Sequence, residues 1–126
     1  MIAQILLVDD DEGVRSSLKA LLESWHHRVL EAEDGAQAFA VADKEVPHLI
    51  LMDVVMGNLY GTSALERLRE NPRTAKIPII LMSGTADKRA LGVKEGKNMR
   101  FMKKPLDPKE LEKVLRELLP EGGYTP

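Results

Sequence analysis

The chain of 126 residues is long enough for one domain with a single hydrophobic core. Apolar residues make up 44% and charged residues 30%, as in ordinary globular proteins, and the net charge of −2 gives no basic footprint for nucleic acid. The lack of cysteine excludes a disulfide scaffold, thiol catalysis and a cysteine-based zinc site. No apolar run approaches the ~20 residues of a membrane span or forms a signal-peptide core. We therefore expect a soluble, cytoplasmic protein that contacts neither membrane nor nucleic acid.

Short apolar strands alternate with helical patterns five times along the chain. The strands are predicted at residues 5–8, 28–32, 49–52, 78–82 and 100–103. The first helix is indicated by apolar residues at helical spacing, namely Val14, Leu18, Leu21, Leu22 and Trp25. A second helix is predicted from Gly35 to Glu45, with Ala36, Phe39, Ala40 and Asp43 at its turns.

Capping residues mark the later helices. Ser63 and Glu66 have the spacing of a capping box, which predicts a third helix from near Thr62, and Asn71-Pro72 would end it. A weak fourth helix is predicted over residues 86–95. The last helix is expected to begin with Asp107 as its N-cap and to bury Leu111, Val114, Leu115 and Leu118.

This alternation predicts an α/β fold, with a parallel sheet covered by helices on both faces. Right-handed crossovers leave few topologies for a (βα)5 chain, and the doubly wound, flavodoxin-like order 2-1-3-4-5 is the common five-stranded one. In that order the first and third strands are neighbours. Asp9, Asp10 and Asp53 would then meet at the point where the strand order reverses, which is where such sheets bind ligands.

Complementary chemical groups follow four of the five predicted strands: Asp9 with Asp10, Asp53, Ser83 and Lys104. Neighbouring carboxylates need a counter-cation, and a site built only from oxygen ligands favours Mg²⁺. Lys104 is suited to binding phosphate oxygens and Ser83 to donating a hydrogen bond. A carboxylate that attacks phosphorus, with metal and lysine neutralising the charge, would use all these groups.

Some of these residues also have simpler interpretations. The acidic run at residues 9–12 could simply place negative charge at a helix N-terminus. His26, His27 and His48 are expected on the surface or in loops and are given no role.

Residues 5–12, the strand ending in Asp53, Ser83 and the pair Lys104-Pro105 together resemble the receiver domain of bacterial response regulators. The resemblance covers residues 2–119. It implies that Asp53 accepts a phosphoryl group from a sensor histidine kinase or a phosphotransfer protein. It also implies Mg²⁺ held directly by Asp10 and Asp53, through water by Asp9, and by the backbone carbonyl of Val55.

The same resemblance assigns the switch. Lys104 would contact the phosphoryl oxygens, Ser83 would move to hydrogen-bond the phosphoryl group, and Phe101 would follow as the aromatic switch residue. The Lys104-Pro105 bond is often cis in this family. The implied function is a phosphorylation-dependent signalling switch that regulates a downstream protein target, with a phosphorylation-dependent dimer as one form of output. The domain would catalyse only its own phosphorylation and dephosphorylation.

We expect residues 1–119 to form the receiver domain and residues 120–126, with Pro120, Gly122, Gly123 and Pro126, to form a flexible tail. Two other functions would use part of this set of residues. A haloacid-dehalogenase-like phosphatase also uses an aspartate nucleophile, but it needs a second acid two residues later, where Val55 follows Asp53. A binding module that had lost phosphorylation would not need the complete set of acids, serine and lysine.

Overall fold

The computed structural model describes residues 2–56, 59–84, 96 and 98–119. The strands are β1 (Gln4–Val8), β2 (Arg28–Ala32), β3 (Leu49–Asp53), β4 (Val55–Met56), β5 (Leu59–Tyr60), β6 (Ile79–Ser83) and β7 (Met99–Lys103). The helices are α1 (Glu12–Ser24), α2 (Gly35–Glu45), α3 (Gly61–Glu70) and α4 (Pro108–Leu118). The predicted helix at 86–95 and the predicted tail at 120–126 lie outside the described residues.

Five strands form one parallel sheet in the order β2-β1-β3-β6-β7. Since β6 and β7 are the fourth and fifth strands predicted from the sequence, the order 2-1-3-4-5 and the doubly wound α/β fold are confirmed. The short strands β4 and β5 pair antiparallel with each other outside this sheet. Every residue of β3 and β6 is buried, which explains why both strands are continuous apolar runs.

The core has two layers, one on each face of the sheet. Successive side chains of a strand point to opposite faces. Leu6 and Val8 of β1 therefore join the layer that α2 and α3 cover. Ile5 and Leu7 join the layer that α1 and α4 cover. Among the described elements, two helices therefore cover each face of the sheet.

Helix α2 has the bounds that were predicted for it. It buries Ala38 and Ala42, whereas Ala36 and Ala40 are exposed. The helix carries alanine on several faces, so apolar spacing alone does not identify the buried side. Packing decides it, because a Cβ added at Gly35 would lie only 3.1 Å from the Cβ of Ala64 in α3.

Two helix starts also differ in detail from prediction. Helix α3 begins at Gly61, so Ser63 lies within its first turn and is not the N-cap of a capping box. Asp107 occupies the N-cap position of α4, with Pro108 following, but it makes no side-chain capping hydrogen bond among the described residues. Leu111, Leu115 and Leu118 are buried as predicted.

Two histidines hold the beginning of β1, contrary to their predicted lack of a role. The Ala3 amide donates to Nδ1 of His27 at 2.9 Å, and the Gln4 amide donates to Nδ1 of His48 at 3.1 Å. His27 lies in a loop, as one of its two predicted locations allowed, and its side chain is buried. His27 directly precedes β2 and His48 directly precedes β3, the two strands that pair with β1. Each imidazole therefore accepts a hydrogen bond from a backbone amide at the start of β1.

Within the part of the chain that the structure describes, no helix combines the length and apolar character needed to cross a bilayer.

Candidate functional site

The carboxyl ends of β1 and β3 lie side by side because Val8 pairs with Met52. The residues that come next, Asp9 and Asp53, therefore occupy the same edge of the sheet. One carboxylate oxygen from each of Asp9, Asp10 and Asp53 lies within 4.8 Å of the others. Asp9 is fully buried and Asp53 is 8% exposed, whereas Asp10 faces solvent. The structure thus brings together the three acids that the sequence placed at one site.

Lys104 reaches this cluster from the end of β7. Its Nζ atom lies 2.9 Å from Oδ2 of Asp9 and 2.7 Å from Oδ2 of Asp53. Burial lowers the pKa of Lys104, but hydrogen bonds to Asp53 and Asp9 and their negative charges raise it more, so its pKa is above the ordinary lysine value. The Lys104-Pro105 peptide bond is cis, as expected. The ammonium is the counter-cation of two buried carboxylates.

The cluster fits a hard divalent cation. Its donors are carboxylate oxygens, which Mg²⁺ prefers, and the position of the Lys104 ammonium between Asp9 and Asp53 shows that this pair accepts positive charge. Asp10 offers an exposed carboxylate at the rim, which suits an ion that retains several waters. Val55, the expected carbonyl ligand, lies two residues after Asp53 in β4, where it pairs with Tyr60.

Ser83 lies on β6, which pairs with β3, and Phe101 lies on β7, which pairs with β6. Ser83 ends β6 and is buried, and its carbonyl accepts a hydrogen bond from the Lys104 amide at 2.8 Å. Phe101 pairs with Leu81 in the sheet and packs, half-buried, against the core layer under α2 and α3. Ser83, Phe101 and Lys104 are therefore linked through the backbone of the paired strands β6 and β7.

Sequence reasoning missed Arg15. Its Nη1 donates to the backbone carbonyl of Asp9 at 2.8 Å, and its Nε donates to Glu31 of β2 at 3.2 Å. A contact to a backbone carbonyl has no sequence signature. The residue type offered one clue. A positive charge near the N-terminus of a helix is destabilised by the helix dipole, so an arginine there is expected to have another partner.

An apolar cavity of about 520 Å³ adjoins the site. It lies between α1 and the segment after β7, and Lys104 belongs to its wall. The apolar side chains that line it are Val14, Leu18, Leu21, Met82, Pro105 and Leu106. A protein that approached the acidic cluster from this side would find apolar surface beside it.

Residues 5–116 match the family model of the response regulator receiver domain. The chain therefore belongs to the response regulator receiver domain family, as its motifs predicted. Protein PilH of Pseudomonas aeruginosa is 36% identical over 120 residues, which cover 93% of this chain and 98% of PilH. Response regulator Rre1 of Synechocystis sp. is also 36% identical, but the chain spans only 51% of its length.

Solved structures agree with this assignment. The receiver domain of sensor histidine kinase PA1611 from Pseudomonas aeruginosa has a TM-score of 0.83 and 30% identity over 94% of this chain and 98% of that one, and it holds a magnesium ion in its active site cleft. Chemotaxis protein CheY4 of Vibrio cholerae has a TM-score of 0.81 and 26% identity over 94% of this chain and all of CheY4.

Family membership defines the general function. Receiver domains are phosphorylation-dependent switches in two-component systems, where they interact with histidine kinases and downstream effectors. The chain is accordingly a phosphoacceptor signalling domain and not a classical enzyme. The predicted resemblance, fold and general function are confirmed, and the phosphatase alternative has no support.

Proposed function

We propose that Asp53 is the phosphoacceptor of this domain and that its phosphorylation requires Mg²⁺. The observation that carries this proposal is the geometry around Asp53, which is buried between two other carboxylates and bound by the Lys104 ammonium at 2.7 Å. Asp53 is the acid at the end of the central strand β3, so groups on β1, β6 and β7 surround it.

The metal ligands that we propose are those implied by the family resemblance. Asp10 and Asp53 would hold Mg²⁺ directly, together with the carbonyl of Val55. Asp9 would bind it through water, because its Oδ1 already accepts a hydrogen bond from the Asp11 amide at 2.9 Å and its Oδ2 accepts one from Lys104. Bound Mg²⁺ would neutralise negative charge on the transferring phosphoryl oxygens.

The protein groups then have distinct roles in the transfer. A carboxylate oxygen of Asp53 attacks the phosphorus of a phosphohistidine, the P–O bond forms, and the P–N bond breaks with its electron pair returning to the imidazole. Lys104 binds the phosphoryl oxygens and Ser83 donates a hydrogen bond to them. Loss of the phosphoryl group to water restores Asp53, so the domain catalyses only these two steps on itself.

The partners follow from this chemistry. The phosphodonor is a sensor histidine kinase or a phosphotransfer protein, and the apolar cavity beside Lys104 provides contact surface next to the acceptor. The output is a changed face that binds a downstream protein target, with a phosphorylation-dependent dimer as one form of that output. We assign residues 1–119 to this unit, because Leu119 still packs into the core.

Acetyl phosphate with Mg²⁺, followed by intact mass measurement, tests the acceptor. The wild-type chain should gain one phosphoryl group, and Asp53→Asn should gain none. Asp11→Asn is the matched control, because Asp11 is the N-cap of α1 and asparagine keeps the acceptor for the Val14 amide. That control should be labelled like the wild type.

Equal labelling of Asp53→Asn would refute the assignment of Asp53. A wild-type chain that takes up no phosphoryl group, with acetyl phosphate or with a phosphorylated kinase, would instead support a binding module that has lost phosphorylation.

A further inference from the structure

We infer that Arg15 is a positioning residue that fixes the Asp9–Asp10 turn and thereby raises the affinity of the acidic cluster for Mg²⁺. The inference rests on the proposed function, since it assigns a further residue to the same metal site. Arg15 would not touch the ion. It would act through the backbone of the residues that do.

Three hydrogen bonds help to hold the turn, besides the ion pair between Asp9 and Lys104. The Asp9 amide donates to the Ala32 carbonyl at 3.2 Å, and the Asp11 amide donates to Oδ1 of Asp9 at 2.9 Å. The third contact is from Arg15 Nη1 to the Asp9 carbonyl at 2.8 Å. That carbonyl belongs to the peptide unit between Asp9 and Asp10, so the arginine fixes the plane from which the exposed Asp10 carboxylate projects.

Arg15 is itself fixed from the other side. Its Nε is 3.2 Å from Oε1 of Glu31, and its Nη2 is 3.7 Å from Oε1 of Glu33. The side chain is only 11% exposed, and a planar guanidinium held at several nitrogens has few orientations. Lys19 binds the same Glu31 at 3.2 Å but has no contact with the turn in the described part of the chain. The two cations thus share an anchor and differ in the carbonyl contact.

Charge and position predict opposite effects for the loss of Arg15. A positive charge near the site repels a divalent cation, so its removal should strengthen Mg²⁺ binding if charge alone matters. If Arg15 positions the turn, its removal should weaken binding, because Asp10 and Asp9 must then be ordered by the ion itself. The sign of the change therefore distinguishes the two roles.

The experiment is a Mg²⁺ titration of the full chain at constant ionic strength, followed by the amide NMR signals of residues 10 and 53. We expect Arg15→Met to raise the dissociation constant for Mg²⁺ by about tenfold. This is the low end of the loss of affinity that follows when a residue orienting metal ligands is removed. Arg15→Lys keeps the charge and should also weaken binding. Lys19→Met removes a charge from the same helix and should leave binding unchanged or slightly tighter.

Measurement well below each melting temperature keeps a general loss of stability out of the dissociation constant. Should Arg15→Met fail to fold, Arg15→Lys against wild type decides the question, since both carry the same charge. Unchanged or tighter Mg²⁺ binding in the folded Arg15 variants would overturn the inference. Wild-type chain that binds no Mg²⁺, or an Asp10→Asn variant that binds it equally well, would instead refute the proposed metal site.

Discussion

Lys104 places its ammonium where a more highly charged cation is proposed to bind. It contacts Asp9 and Asp53 together, and both acids are buried. Without it, two carboxylates would face each other in a region of low dielectric constant, and such repulsion disfavours the folded state. A residue assigned to phosphoryl binding therefore also stabilises the metal-free fold.

Removal of this ammonium should be costly. We predict that Lys104→Met lowers the free energy of unfolding by about 2 kcal/mol in the presence of a chelator, less than for a fully buried pair because the lysine side chain is 23% exposed. Mg²⁺ should then raise the melting temperature of the variant more than that of the wild type, because it replaces the missing charge. Urea unfolding and thermal melting with and without Mg²⁺ measure both effects.

The neighbouring Lys103 offers a control, since it is exposed and has no ion pair among the described residues. Lys103→Met should change the free energy of unfolding by no more than about 0.5 kcal/mol. Mg²⁺ should raise the melting temperature of this variant as much as that of the wild type. Equal stability of Lys104→Met and wild type in chelator would show that the ion pairs seen here do not stabilise the fold.

Sequence reasoning located the acids, Ser83 and Lys104 because each follows a recognisable strand. The strand order then places those ends together. It could not find Arg15, whose partner is the backbone carbonyl of Asp9, because every residue carries a carbonyl and only the path of the chain selects one.

Among the elements, strand β1 has an unusual start because imidazole groups accept its first amides. The hydrogen bond from Ala3 requires an unprotonated Nδ1 on His27. Burial lowers the pKa of His27, and the positive charges of the amino terminus and His26 lower it further. Glu112 and Arg116 of α4 line the same cavity as His27, so one charge of each sign faces it from that helix.

Stability should therefore depend on pH through His27. The pKa of His27 is lower in the folded state than in the unfolded state, where it is about 6.5, so the unfolded chain takes up the proton first as the pH falls. The free energy of unfolding should be unaffected above this value and should decrease below it. We predict that His27→Asn, which keeps an acceptor near Nδ1 but does not titrate, loses less stability than wild type between pH 7.5 and pH 5.5.

Chemical unfolding at the two pH values measures this difference. His26→Asn is the control, because His26 is exposed with φ of 69°, a conformation that asparagine tolerates well. It keeps the His27 imidazole and removes only the smallest cause of its lowered pKa, so its pH dependence should stay close to that of the wild type and steeper than that of His27→Asn. A pH dependence in His27→Asn as steep as that of the wild type would assign the effect to other groups.

Elements were predicted well where pattern and capping agree, and less well where composition is uniform. The apolar runs identified the strands of the sheet, and Pro108 with its neighbours identified α4. The buried face of α2 was missed because alanine occurs on several sides of the helix, and tertiary packing against α3 selects one of them. The short pair β4 and β5 was also missed, because two-residue strands carry no periodicity.

At the scale of the whole molecule, a conformational change that begins at the phosphorylation site must reach a surface that binds the target. Ser83 pairs with Lys103 in the sheet, and its carbonyl binds the Lys104 amide. A shift of Ser83 toward a phosphoryl group would therefore move β7, where Phe101 packs half-buried on the core. The paired strands β6 and β7 therefore link Ser83 to Phe101.

We predict that beryllofluoride, a phosphoryl mimic, with Mg²⁺ changes amide hydrogen exchange mainly in the segment 83–104. Ser83→Ala should reduce the change, since the variant cannot donate a hydrogen bond to the mimic. Ser16→Ala, an exposed serine of α1, should leave the change intact. Mass spectrometry of peptic fragments measures the exchange. Differences restricted to residues 53–61 would show that the domain signals through another face.

The ion pair between Lys104 and Asp9 joins residues 95 positions apart, and this separation has a consequence for how the chain folds. All three acids lie in the first half of the sequence, whereas the ammonium arrives with the last strand. As the chain is synthesised, strands β1 and β3 can bring the acids together long before Lys104 exists. Their repulsion then opposes early closure of that edge, and docking of β7 removes it. Repulsion between the acids thus adds to the cooperativity of folding. It destabilises a partly formed sheet that lacks β7, and Lys104 relieves it in the complete sheet.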